Sequence, residues 1–311
     1  MKLRNIGKSG LRISLVGLGC NNFGVLDIET SRKVVYRALD LGITLFDTAD
    51  IYGNKGGSEE QLGEILGARR KDIVLATKFG MPMSDVKVGA SRNYIMQAVE
   101  DSLRRLKTDW IDLYQLHQPD PRTPIEETLR ALDDLVRVGK VRYVGCSNFP
   151  AWQVADAQWT ARSGGLAAFV SAQDEYSLLV RDAERELIPA LKAHGLGLLP
   201  YFPLASGLLT GKYKHGAEVL AGTRMALMKR LADRYMTDKN WQIVMRLEEF
   251  CAARGHSMLE LAFSWLAANP VLSSIIAGAT KPEQIEQNVA AVNWTLSADD
   301  LAEIDRLTKK A

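Results

Sequence analysis

Four side chains ask for a chemical reading first. Asp47 lies in the apolar run "TLFDTA" (44–49), and Tyr52 follows it in the glycine-rich stretch "DIYGNKGG". Lys78 sits inside "IVLATKF" (73–79), and His117 ends "IDLYQLH" (111–117). A charge at the end of a buried strand is costly unless something pairs with it. If the first two runs are neighbouring parallel strands, Lys78 is the partner that Asp47 requires. The pair alone reads equally well as a buried structural ion pair. Tyr52 beside it changes the reading. Tyrosine, with an ordinary pKa of about 10, is a weak acid at neutral pH, and an adjacent ammonium favours its phenolate. Lys78 is therefore expected to lower the Tyr52 pKa, Asp47 to hold Lys78 charged, and His117 to orient a carbonyl or share in proton transfer.

These positions presuppose a scaffold that brings strand ends together. Eight apolar, often β-branched segments read as buried parallel strands: 15–20, 44–49, 73–79, 111–117, 141–148, 169–177, 196–202 and 273–279. Amphipathic helices alternate with them. "TSRKVVYRALDLG" starts at a Thr or Ser and stops at Gly42, "SRNYIMQAVEDSLRRLKTD" follows, and "TPIEETLRALDDLVRVGK" opens with Thr123 and Pro124. Eight strands each followed by a helix, with no break in composition, imply an α/β (β/α)8 TIM barrel, one domain over residues 1–311, with a hairpin-like N-terminal lead. A doubly wound sheet is the alternative, since periodicity does not show closure. After the seventh strand a long basic insertion spans about 205–238. Two helices (about 238–253 and 257–268) precede the eighth strand, and "LSADDLAEIDRLTKK" reads as a capped C-terminal helix. In a parallel barrel chemistry sits where strands end. There the fifth strand carries Ser147 and Asn148, the sixth Gln173, the seventh Tyr201, and the eighth "GATKPEQ".

Composition narrows the partners. The 311 residues carry a formal charge of +2 with no dense Lys/Arg run, which argues against nucleic acid and anionic membrane surfaces. No run reaches the length of a membrane span, and "MKLRNIGKSGLRIS" lacks the apolar core of a signal peptide. Three scattered cysteines, Cys20, Cys146 and Cys251, suit a reducing, cytoplasmic compartment. Of four histidines only His117 falls at a strand end, and no HxH or HExxH spacing exists, so no metal centre is expected. "GLGCNNFG" begins like a dinucleotide fingerprint, but Asn22 stands where its third glycine belongs.

In order along the chain, "FDTADIYG", "SEEQLG", "ATKFG", "YQLHQPDP", "GKVRYVGCSNF", "PLASGLLTGKY" and "GATKPEQIEQN" resemble the aldo-keto reductases from "GLGC" to Asn288. The resemblance implies a metal-free NADPH-dependent reductase of small-molecule carbonyls, with Tyr52 the general acid, Lys78 and Asp47 tuning it, and His117 positioning the carbonyl. It further implies that Ser147, Asn148 and Gln173 hold the nicotinamide carboxamide and that Tyr201 stacks on the ring. Phe202, Pro203, Leu204, Ala205, Ser206, Gly207, Lys212 and Arg224 match the segment around the pyrophosphate. Gly278, Thr280, Lys281, Gln284, Gln287 and Asn288 match the stretch holding the adenosine 2′-phosphate and adenine. Lys281 also fits that phosphate by charge, a contact of roughly 1.5–3 kcal/mol. Three places depart from the family pattern: Phe202 replaces a frequent serine, Gln287 a usual glutamate, and "GCNNFG" a threonine–aromatic pair. The family also includes potassium-channel β-subunits that bind NADPH. They carry asparagine at the position of His117, so a regulatory sensor with little turnover is the alternative to an enzyme. Phe23, Phe79, Met81, Phe149, Phe202, Met225 and Met228 are the expected apolar pocket walls.

Overall fold

The computed structural model describes residues 1–219 and 221–308. The lead forms an antiparallel hairpin of β1 (Leu3–Asn5) and β2 (Arg12–Ser14). Eight parallel strands follow: β3 (Val16–Gly19), β4 (Leu45–Asp47), β5 (Val74–Phe79), β6 (Ile111–Leu116), β7 (Val141–Ser147), β8 (Phe169–Glu175), β9 (Gly197–Tyr201) and β10 (Ile275–Gly278). Their order is β10-β3-β4-β5-β6-β7-β8-β9. Closure is narrow: a parallel bridge pairs Leu198 of β9 with Leu272, just ahead of β10. There Leu198 N donates to Val271 O and Ser273 N to Leu198 O, each at 2.9 Å. The molecule is thus a (β/α)8 barrel.

The interior is laid down in layers by the two-residue period of the strands. Leu45, Ala76, Leu113, Leu199 and Ile276 form one apolar cluster with Ile6 and Ile13, through which the hairpin plugs the base. Two residues further along the same strands the inward positions turn polar, at Asp47, Lys78, Gln115 and Tyr201. The site is the layer directly above the hydrophobic floor. Arg4 fastens the plug, donating to Asn269 O (3.2 Å), Leu272 O (2.9 Å) and Ala267 O (2.5 Å).

The helices start and stop where local chemistry directs. The first, Ile28–Asp40, begins ahead of the expected Thr or Ser because Asp27 caps it, accepting from Thr30 N at 2.8 Å. Ser91 caps Arg92–Leu106, and Ser257 with Glu260 forms a capping box on Met258–Ala268. Thr123 does not cap Ile125–Arg137; its hydroxyl donates to Asp120 instead. The insertion, apart from Leu220, which lies outside the described residues, holds a 3-10 turn (Ala205–Thr210) and short helices Arg224–Leu227 and Lys229–Tyr235. The C-terminal helix runs Ala298–Thr308; Lys309 and Lys310, assigned to it from sequence, lie outside the described residues.

Candidate active site

The strand-end residues converge as the topology requires. Lys78 Nζ donates to Asp47 Oδ2 at 2.6 Å and to Thr48 O at 2.9 Å, and both partners are buried, at 0% and 4% side-chain exposure. Gln173 Nε2 (3.0 Å) and Gln115 Nε2 (3.2 Å) donate to Asp47 Oδ1, so this carboxylate takes three charge-stabilising bonds. Lys78 Nζ lies 5.0 Å from the Tyr52 ring centroid and also faces its hydroxyl. Tyr52 meets His117 edge-on, with ring centroids 5.7 Å apart.

The loop that delivers Tyr52 is built by glycine. From Gly53 to Gly56 four successive residues are left-handed (φ 65°, 59°, 68° and 126°) before the helix resumes toward Leu66. A side chain at Gly53 would press to 2.4 Å from Phe23 O, so the loop packs on the turn after β3 only with glycine there.

Electrostatics partly reverses the sequence expectation. Burial raises the Tyr52 pKa above its ordinary value; the Lys78 ammonium opposes this without overcoming it, and Asp47 adds to the rise. Tyr52 therefore keeps its proton across the neutral range. Burial alone would discharge Lys78, but Asp47 first and then Tyr52 hold its pKa above the usual lysine value. His117 is pushed down to about 3, by burial and then by Lys78, and is neutral at pH 7. Its Nδ1 is buried with no partner.

Around these four, the residues matched to a dinucleotide cofactor form a connected rim. Asn148, itself left-handed (φ 61°), donates to His117 O (2.9 Å) and Ser147 Oγ (3.1 Å) and accepts from Tyr201 OH (2.8 Å). It thereby ties the ends of β6, β7 and β9. Gln173 spends its amide nitrogen on Asp47. Beyond Tyr201, Phe202, Ala205, Ser206 and Gly207 all have positive φ (50°, 45°, 56° and 101°). In that turn Ser206 Oγ is buried without a partner, and a side chain on Gly207 would meet Lys212 Nζ at 3.2 Å. Backbone curled this way beside an ammonium suits a phosphate. Pro203 and Leu204 carry the chain through the turn. Arg224 Nη2 reaches back to Asn22 Oδ1 (3.0 Å), and its guanidinium carbon lies 5.8 Å from the Phe202 ring centroid, so the insertion bridges to the turn after β3. Across the mouth, Gly278 ends β10, and Thr280 N and Oγ1 donate to Gln284 Oε1 (2.7 and 3.3 Å). Lys281 is exposed at the start of the uncapped helix Pro282–Ala290, with Gln287 exposed and Asn288 buried on that helix. Orphaned Ser206, the curled turn and a helix N-terminus beside a lysine with no acid partner among the described residues fit a phosphate-bearing dinucleotide.

Some expectations change. Phe79 follows inward Lys78, so it faces outward and stacks on Tyr114 (4.6 Å) instead of walling the mouth. Phe23 is wholly buried in the core. Phe149 lines a cavity of about 450 Å³ between helix Ile125–Arg137 and helix Ala151–Gly164, with Leu116 and Trp152. Phe202 stays beside Tyr201 (5.3 Å), edge-on. Gln115 escaped sequence reading, though it lies on β6 two residues before His117, which directly follows that strand, and this is the spacing that signals a shared face. Glu175, the next inward position after Gln173, also escaped; Arg234 and Tyr235 of the insertion both donate to it. Among the described residues no group of three or more His, Cys, Asp or Glu could hold a metal, and no helix is long and apolar enough to cross a membrane.

Comparison with known proteins agrees with this architecture. The model of the Aldo/keto reductase family matches residues 15–309. A probable voltage-gated potassium channel subunit beta of Arabidopsis thaliana is 39% identical over 94% of this chain and 92% of its own length. An uncharacterized oxidoreductase, YrpG, of Bacillus subtilis is 39% identical over 97% of this chain and 94% of its own. L-glyceraldehyde 3-phosphate reductase of Escherichia coli is 36% identical over 98% and 92%.

Proposed function

This chain belongs to the aldo/keto reductase family, a family of oxidoreductases acting on small carbonyl compounds with NAD(P)H, and on that premise we propose that it reduces aldehydes or ketones to alcohols with NADPH, Tyr52 being the general acid. The observation that carries the reading is a protonated Tyr52 against a charged Lys78, beside a neutral His117. Burial keeps the proton on Tyr52 in the resting site, which an acid needs. As negative charge grows on a carbonyl oxygen in the mouth, Tyr52 releases its proton to that oxygen, and the nearby Lys78 ammonium stabilises the phenolate left behind. Asp47, fixed by Gln115 and Gln173, holds the ammonium in place. His117, neutral, orients the carbonyl. In the oxidative direction Tyr52 is the base.

The bound nicotinamide would supply the hydride; the protein supplies alignment and charge. Ser147, Asn148 and Gln173 would hold its carboxamide and Tyr201 its ring. Residues 202–207 with Lys212 and Arg224 would hold the pyrophosphate, and Gly278, Thr280, Lys281, Gln284, Gln287 and Asn288 the adenosine end. Preference for NADPH over NADH rests on Lys281, exposed and without an acid partner among the described residues. The chain acts as one barrel domain over 1–311, with the 205–238 insertion across the cofactor. Three free, buried cysteines support a cytoplasmic setting.

The test is loss of NADPH absorbance with a panel of aldehydes and ketones, L-glyceraldehyde 3-phosphate among them because of the relative so named. Tyr52→Phe should lower kcat on the order of a hundredfold or more, with NADPH affinity nearly unchanged. A variant that keeps most of its turnover refutes the acid assignment. The channel-subunit relative favours a second reading, cofactor-bound sensing. Tight NADPH binding without turnover of any carbonyl by the wild type would establish that one instead.

A further inference from the structure

The polypeptide between Asp47 and Tyr52 carries another carboxyl that the mechanism above leaves unused. Asp50 is buried, at 1% exposure, and its Oδ1 has no hydrogen-bond partner. Its backbone N donates to Lys78 O at 3.0 Å, so Asp50 is hitched to the strand that bears the lysine. Its neighbours lie behind the barrel wall, between the strands and the helices. Glu59, fully buried, accepts from outward Thr77 (2.5 Å) and from Arg105 Nε and Nη2, both at 2.7 Å. Helix Arg92–Leu106 contributes Arg105 and Tyr94, and Tyr94 also interacts with the Asp50 carboxyl. From β6 comes Tyr114, whose hydroxyl is buried and unpartnered. Lys78 faces from β5. Asp101 is the remaining charge acting on Tyr94 and Arg105.

The charges do not balance if every group ionises. Arg105 is committed to Glu59 through two nitrogens, and Lys78 to Asp47. Two buried cations thus face three buried carboxyls, and Asp50 is the one without a cation of its own, the Tyr94 hydroxyl and Ile51 N–H being neutral partners. An unpaired buried carboxylate is far costlier than a neutral acid. We propose that Asp50 is a positioning residue that rests protonated, so that the Lys78 charge is divided between Asp47 and Tyr52 alone. This inference builds on the reading of Tyr52 and Lys78 as the acid and its tuner. Burial and the nearby Glu59 raise the Asp50 pKa to about 8, in keeping with that role. Above that pH a second carboxylate draws on Lys78, and the Tyr52 phenolate loses part of its stabilisation.

The consequence is measurable on the full-length protein without any turnover. Infrared spectra taken from about pH 6 to about pH 10 should show a protonated carboxylic acid at neutral pH that bleaches as pH passes about 8. Asp50→Asn should lack it. Its absence from the wild type at neutral pH overturns the proposal. Glu59→Gln frees Arg105 to pair with Asp50, so the band should vanish at neutral pH; its persistence overturns the account in which Glu59 keeps the guanidinium from Asp50. Tyrosinate absorbance, taken against Tyr52→Phe, gives the third arm. Asp50→Asn, unable to ionise, should lower the Tyr52 midpoint by about one pH unit, a tenfold change in acidity. An unchanged midpoint overturns the link to Lys78. Failure of carbonyl reduction would undo the reductase reading while leaving all three arms to decide the state of Asp50.

Discussion

Replacing Lys78 by methionine removes the ammonium beneath Tyr52 and leaves buried Asp47 with the amide donors Gln115 and Gln173. At the observed 2.6 Å separation, an effective dielectric constant of about 20 gives an attraction of roughly 6 kcal/mol before desolvation. Methionine regains apolar burial, and Gln115 and Gln173 continue to donate to Asp47. The cost of orphaning one buried partner is therefore expected at about 3–5 kcal/mol. For a chain of this size that is a fall in thermal midpoint of about 5–8 °C. Asp47→Asn combined with Lys78→Met removes the stranded charge as well as its partner, and should recover more than half of the loss. Differential scanning calorimetry of the wild type, both single variants and the double variant closes the cycle. A single variant that melts within about 2 °C of wild type, or a double variant no more stable than Lys78→Met, would show that the pair is not the buried, mutually dependent unit described. Turnover should be lost in both variants whatever their stability, because Tyr52 no longer faces a cation.

Lys281→Ala should raise the dissociation constant for NADPH about tenfold or more and leave that for NADH nearly unchanged; equal shifts in a fluorescence titration would mean that Lys281 does not read the phosphate. His117, with a folded pKa of about 3 against the ordinary 6.5, favours the native state when neutral. The stability it contributes is complete above pH 6.5 and drains away as pH falls toward 3. At pH 5 this amounts to about 1–2 kcal/mol, and His117→Asn should narrow the gap between melting points at pH 7 and pH 5. Gly63 faces helix Arg92–Leu106 so closely that an added Cβ would lie 2.3 Å from Arg105 O. Gly63→Ala should cost about 1–3 kcal/mol, seen as a lower melting point, and should loosen Arg105 from Glu59.

The barrel was legible because strands buried on both faces read as unbroken apolar runs punctuated by Gly, Pro and Asp. Three of the four central residues stood out for a related reason: Asp47, Lys78 and His117 are charged or titratable where apolar residues belong. Gln115 breaks the same rule, yet a neutral amide in "DLYQLH" raises no alarm. It becomes visible only once the period of two is counted back from His117. Counting also removes Phe79 from the pocket, since Lys78 already occupies the inward direction. The sign of the Tyr52 shift was not readable, because it is set by how deeply the mouth desolvates the ring. Depth is a property of the closed barrel and not of neighbouring residues in sequence. The hydrogen bonds of Arg234 and Tyr235 with Glu175 join parts of the chain about 60 residues apart, beyond any local pattern. The same holds for the outward cluster of Asp50, Glu59 and Arg105, whose members share a face only after two helices dock on β5.

The plug at the base also constrains the timing of assembly. Arg4 is synthesised long before the carbonyls that it grips, which belong to residues 267–272, a separation of 263 to 268 positions. The bridge at Leu198 and Leu272 that shuts the cylinder depends on the same late segment. On a ribosome the hairpin can therefore find its seat only after residues 267–272 have emerged. Until then the floor of Leu45, Ala76, Leu113 and Leu199 lacks its Ile6 and Ile13 cover. Contacts so distant in sequence are slow to form. Changes at Arg4 should thus be felt less in the chemistry at the opposite end than in the yield of folded chains, with a longer interval in which unsealed barrels expose apolar surface to one another.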